Sequence, residues 1–204
     1  MTDVPHDPDL ETLPSAAEIQ ALRRQLGADL HPAQAIALWD WGAQRSTLLI
    51  SEGDTGHPSP VLHHMQIGTG LLAQRTFKKS MPTALQLEQA IMLIEDAIMP
   101  LARLLPVHSV LLTRDPLLMH VAAHAMGAPP ATAAWTLLHR EAVEQLFQQL
   151  VEQASFPHVP RPGLPQSPQW AAALLLLREA LHHWQIHSMW VATAEATPHP
   201  EAAA

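Results

Sequence analysis

The sequence predicts an α/β domain, a mixed sheet of about five strands that opens with an antiparallel meander and is covered by helices. Three observations predict it. Short strand-type apolar runs fill residues 35–67 and are separated by polar turns. From Thr83 the apolar period changes to that of a helix. Beyond that helix, strand-type runs alternate with helical ones, which calls for a sheet with some parallel pairing.

The elements follow in order. Ser15 and Glu18 have the capping-box spacing, so a helix is expected from Ser15, with Ile19, Leu22 and Leu26 as its stripe and Gly27 as its stop. Strands are expected near 35–40, 46–51 and 61–67, the first two joined by the polar turn 41–45. Gly68-Thr69-Gly70 ends the third as a turn or bulge, being too short for a nucleotide-binding signature. Leu85, Leu87, Ile91, Ile94, Ile98 and Leu101 carry a helix as far as Leu105, before Pro106. A buried-type strand follows at 107–113. Pro116 then suits the first turn of a helix that ends before Gly127. Residues 131–153 read as one long helix, and the proline-rich stretch 154–168, with five prolines, as a loop. A strongly apolar helix, 170–184, and a strand, 186–192, close the pattern. Residues 1–14 and 194–204 read as mobile tails flanking one domain, 15–193. This order is that of one lobe of the ribonuclease-H-like, actin-like architecture.

Composition excludes several classes of function. Of 204 residues, 48% are apolar and 15% charged, against about 25% charged in an average soluble protein, so a sizeable core is expected. No apolar stretch reaches the 18 or so residues of a membrane span, and the acidic, proline-broken start does not resemble a signal peptide. A formal charge of −8 disfavours nucleic acid and anionic membranes as partners. The absence of cysteine removes disulfides, thiolate catalysis and cysteine-ligated zinc, and fits a cytoplasmic location.

Residues in this frame resemble a known family. The order and spacing over roughly 15–193 are similar to the C-terminal lobe of the exopolyphosphatase and guanosine-pentaphosphate phosphohydrolase family, of the sugar-kinase, heat-shock-protein and actin superfamily. That family's lobe opens with a phosphate loop Asp-Ile-Gly-Gly-Gly-Ser-Thr-Glu-Leu. Here the same register reads Asp40-Trp41-Gly42-Ala43-Gln44-Arg45-Ser46-Thr47-Leu48. Ile67-Gly68 and Gln74-Arg75-Thr76 match a leucine-glycine pair and the basic segment after it, and the family's Gly-Gly-Thr-Ala-Thr-Thr-Leu-Ala-Ala falls on 115–123. The resemblance implies an active site in a cleft between two lobes, and it covers one lobe alone. A chain lacking the other lobe is therefore expected.

The departures bear on activity. A phosphate loop uses glycines so that backbone N–H groups can approach the anion. Ala43 and Gln44 replace two of them, Thr47 stands where the family has its loop glutamate, and Asp115-Pro116 replaces the second glycine pair. Aspartate repels phosphate, and proline has no N–H to offer. The family's upstream glutamate aligns loosely with Glu18. Asp40 suits a metal or a phosphate-bound water, or else a turn-forming aspartate, and the lost glycines favour the turn. Gly42, Arg45 and Ser46 are the candidate phosphate-binding residues.

His120 and His124 have the i,i+4 spacing of a metal pair but lack the central glutamate of a zinc-protease helix, while His182, His183 and His187 straddle an element boundary. Histidines without metal are expected. The six tryptophans read as core and interface anchors, and Arg75, Lys78 and Lys79 as a solvated turn.

The leading expectation is a non-catalytic interaction or regulatory protein, pairing as a homodimer or with a protein partner through apolar surface and needing no cofactor. One alternative is a phosphoanhydride hydrolase acting on polyphosphate or guanosine pentaphosphate and completed by dimerisation. In it Glu18 and Asp40 place Mg²⁺ and Ser46 binds phosphate. Another is a phosphate or nucleotide sensor using Arg45 and backbone donors.

Overall fold

A computed structural model describes residues 14, 16–27, 30–53, 60–127, 134–159 and 163–193. The predicted tails lie outside these, apart from Pro14, and so does the capping residue Ser15. The first helix, α1 (Ala16–Leu26), is followed by β1 (Ile36–Trp41), β2 (Ser46–Ser51) and β3 (Val61–Met65). These three strands form the expected antiparallel meander, in which Leu38 faces Leu49 and Leu49 faces Leu62. A helical turn, α2 (Thr69–Leu71), continues as a wider π-type turn over Leu72–Thr76. Then come α3 (Ala84–Ala102), β4 (Val110–Thr113), α4 (Pro116–Met126), β5 (Trp135–His139), α5 (Arg140–Ser155), α6 (Pro168–His183) and β6 (Ser188–Ala192).

The six strands form one mixed sheet in the order β3-β2-β1-β4-β6-β5. β1, β4 and β6 run parallel, while β5 returns antiparallel along β6. Strand alternation sorts the side chains into two cores. Ile36, Leu38, Leu49 and Leu112 meet the Ile19, Leu22 and Leu26 stripe of α1. Ala37, Trp39, Trp41, Leu48, Ile50 and Leu111 meet the helices of the other face. The centre of that face is α6, in which every residue from Trp170 to Leu177 is buried. An apolar block on all sides of a helix is a core helix in a domain of this size, and α6 packs on α3, α4 and α5.

Local signals set the helix ends. Thr83 and Gln86 form a reciprocal capping box at α3. Asp115 caps α4, Pro116 fills its first position, and Gly127 ends it with φ +70°. Gly27, the expected stop of α1, has φ +55°.

Several expectations need correction; the strand expected from 186 begins at Ser188, and the helix expected to reach Leu105 ends at Ala102. Residues 131–153 are not one helix: among the described residues they hold β5 and most of α5, so the sheet has six strands rather than about five. β5 becomes a strand because its backbone pairs with β6 over Trp135↔Ala192 to His139↔Ser188, and tertiary pairing overrides the helical period. The strand expected over 107–113 begins at Val110, since Pro106–Ser109 form a turn with His108 at φ +62°. The strand expected over 61–67 ends at Met65, where the chain turns toward the hairpin tip.

Candidate functional site

The segment matching the phosphate loop is the tip of the β1–β2 hairpin. Trp41 pairs with Ser46, and the Gly42 N–H donates to the Arg45 carbonyl at 2.7 Å, closing a tight loop over Ala43-Gln44. Three contacts seal this tip against the start of α2. The Leu71 N–H donates to the Ala43 carbonyl at 2.8 Å. The buried Ser46 hydroxyl donates to the Ile67 carbonyl at 2.7 Å. Gly68 lies so close that a Cβ there would meet the Gly42 carbonyl oxygen and stand 2.7 Å from the Ala43 carbonyl carbon and oxygen. Gly68 is thus required by close backbone approach, with the neighbouring Gly70 in a similar position.

Beside the hairpin, β1 and β4 stay in register only as far as Leu38↔Leu112. Past that point each strand end faces the other's carboxylate. The Arg114 N–H lies toward Asp40 and the Trp41 N–H toward Asp115, each favouring the charged form of the carboxyl it faces. Asp115 Oδ1 also accepts from Leu117 N–H at 2.8 Å and Leu118 N–H at 3.1 Å, the free donors at the N-terminus of α4. Burial raises the pKa of Asp40, and the Asp115 charge adds to the rise while the Arg114 guanidinium and N–H oppose it. Burial raises Asp115 as well, against the N–H groups of Leu118, Leu117 and Trp41.

The structure therefore gathers Asp40, Gly42, Arg45 and Ser46 on one hairpin and sets Asp115 and Arg114 against them. Glu18 is exposed in the first turn of α1, and the charges that dominate the titration of Asp40 are Arg114 and Asp115. Ser46 has its hydroxyl proton committed inside the fold, and Arg45 is half-buried. His124 bonds the His120 carbonyl through Nδ1 at 3.0 Å and packs edge-on against Trp170. Arg114 was not singled out in the sequence. Its signal was the Thr-Arg-Asp-Pro run at a strand-to-helix junction, where an N-cap aspartate before a first-turn proline points both neighbours toward the strand ends.

No protein-family model and no curated protein matches the sequence. Solved structures match the fold. The Aquifex aeolicus Ppx/GppA enzyme superposes with a TM-score of 0.61 at 13% identity, over 82% of this chain and 56% of that one. An exopolyphosphatase-like protein gives 0.62 at 16% identity, over 81% and 57%. An exopolyphosphatase from Cytophaga hutchinsonii gives 0.58 at 14% identity, over 87% and 59%. The chain spans a little over half the length of each. Among the described residues no helix is long and apolar enough to cross a membrane. The architecture of this chain is the actin-like lobe seen in the exopolyphosphatases.

Proposed function

We propose that this chain is an interaction or regulatory protein on an exopolyphosphatase-type lobe, without phosphoanhydride turnover of its own. The observation that carries the reading is the Asp40–Asp115 pair. Phosphoryl transfer depends on backbone donors and cations aimed at the developing charge. Here the N-terminal donors of α4 are taken by Asp115 and the Leu71 N–H by the Ala43 carbonyl. Those donors are therefore already spent on the protein's own oxygens. Mg²⁺ fits poorly as well: it favours ionised carboxylates with free lone pairs, whereas burial favours protonation of both aspartates and Asp115 already accepts from two backbone N–H groups.

An interaction role is supported by α3. Leu85, Met92 and Met99 recur every seven residues at 63%, 65% and 52% exposure, with Leu93 beside them at 47%. Residues at that interval share one stripe of a helix and suit another helix as partner. A second copy is the simplest partner, because one stripe then serves both subunits about a two-fold axis.

Phosphate release from polyphosphate and from guanosine pentaphosphate, with Mg²⁺ present, is expected to stay at background. Turnover that vanishes in Asp40→Asn and Glu18→Gln would overturn the reading in favour of a hydrolase. In sedimentation equilibrium at micromolar concentration, the protein is expected above its 22.3 kDa monomer mass, with Met92→Glu returning it there. A monomeric wild type would refute self-association.

A further inference from the structure

Away from the hairpin, a second set of titratable groups lies between α3, α5 and α6. Glu179, on α6, is completely buried, at 0% exposure. A carboxylate in that position is costly unless its oxygens are matched. Its Oε1 accepts from Arg178 Nη1 at 2.7 Å, and Arg178 is held in turn by Glu144 on α5 through Nε at 3.2 Å. Its Oε2 is buried and has no hydrogen-bond partner. That oxygen faces His183, one turn further along α6, with Nε2 at 3.4 Å. The same Nε2 lies 2.9 Å from Glu95 Oε1 on α3.

We propose that Glu95, Glu179 and His183 bind one divalent cation of the zinc class, which clamps α3 to α6.

Geometry supports this first. One ligand atom from each of the three side chains lies within 4.8 Å of the others. Two donors roughly 2.1 Å from a shared ion stand about 3.0 Å apart at a right angle and about 3.4 Å at the tetrahedral angle. The separations of 2.9 and 3.4 Å match those spacings; the shorter one is here a hydrogen bond between His183 Nε2 and Glu95 Oε1, which an ion would replace.

Charge supports it next. Glu95, Glu144 and Glu179 against Arg178 leave a net −2 when His183 is neutral, so a divalent ion balances the group. The donor set then selects the ion. One imidazole nitrogen with two carboxylate oxygens disfavours Mg²⁺ and Ca²⁺, which prefer oxygen alone, and ranks Zn²⁺ above Fe²⁺ and Mn²⁺. Side-chain exposures of 20% at His183 and 35% at Glu95 leave an approach from solvent and room for water as a further ligand. The proposal is independent of what the hairpin site does.

The test is isothermal titration of the chelator-treated full chain with ZnCl₂, paired with thermal unfolding. One tight Zn²⁺ per chain is expected, raising Tm by about 5 °C or more at a hundredfold excess over Kd. Glu95→Gln and His183→Gln, both at partly exposed positions, should each weaken that binding about tenfold or more, since even an outer-shell loss costs that much. The double variant His120→Asn/His124→Asn should leave it unchanged. X-ray absorption should find nitrogen and oxygen at about 2.0–2.2 Å. No tight binding, or tight binding lost in the His120/His124 variant and kept in Glu95→Gln and His183→Gln, overturns the proposal.

Discussion

Gly68→Ala tests how the hairpin tip is held. The backbone at Gly68 has φ −149° and ψ 163°, an extended conformation open to any residue, so the substitution adds no torsional strain. Its added methyl would stand 2.7 Å from the carbonyl carbon and oxygen of Ala43, which are backbone atoms and cannot rotate away. Either the hairpin tip or the start of α2 must move. Overpacking of this kind costs about 1–3 kcal/mol. Moving the tip also weakens the Leu71 N–H to Ala43 carbonyl bond, worth about 0.5–1.5 kcal/mol. Against these, a stiffer unfolded chain returns about 0.4–1 kcal/mol. The net is a destabilisation of about 0.5–4 kcal/mol, or roughly 7 °C in Tm at mid-range for a chain of this size. Urea unfolding gives the free energy, and native-state hydrogen exchange at the Leu71 amide reports the bond itself. A variant as stable as wild type, with that amide still protected, would refute the sealed tip.

Two other perturbations follow from the same site. Ser46→Ala leaves the Ile67 carbonyl without its buried donor and should cost about 1–3 kcal/mol by urea unfolding; an unchanged midpoint would show that the bond is dispensable. Asp40 has a folded pKa above its usual 3.8, so its contribution to stability is complete below that value and is lost as pH rises through the folded pKa. Asp40→Asn should therefore gain on wild type at neutral pH and lose that advantage as pH falls toward 4; a difference independent of pH would contradict the burial argument.

The meander was legible because β1, β2 and β3 are short apolar runs separated by turn residues, and because Asp115, Pro116 and Gly127 mark both ends of α4. β5 was hidden because nothing breaks the chain between His139 and Arg140, and Trp-Thr-Leu-Leu runs without interruption into the apolar period of α5. What makes it a strand is the free edge of β6, more than 45 residues away in sequence. At the candidate site, the lost glycines could be read directly, but the exchange of carboxylates between β1 and β4 could not. Asp115 reads as something that repels phosphate; that it also faces the Trp41 N–H across from β1 depends on a parallel pairing that no local pattern announces. Glu179 is the same kind of case. In sequence it looks like the polar end of an apolar helix, and only packing shows it wholly enclosed beside Glu95, a residue 84 positions earlier.

The central position of α6 has a consequence for how the protein comes into being. About 130 residues separate β1 from α6, which is roughly 7–26 s of synthesis at about 5–20 residues per second. Over that interval Trp39, Leu48 and Ile50, and Leu111 once β4 has been made, lack the helix that covers the middle of their sheet face. Until α6 is made, that apolar face stays open on the nascent chain, as a surface that a chaperone shielding extended apolar segments can cover.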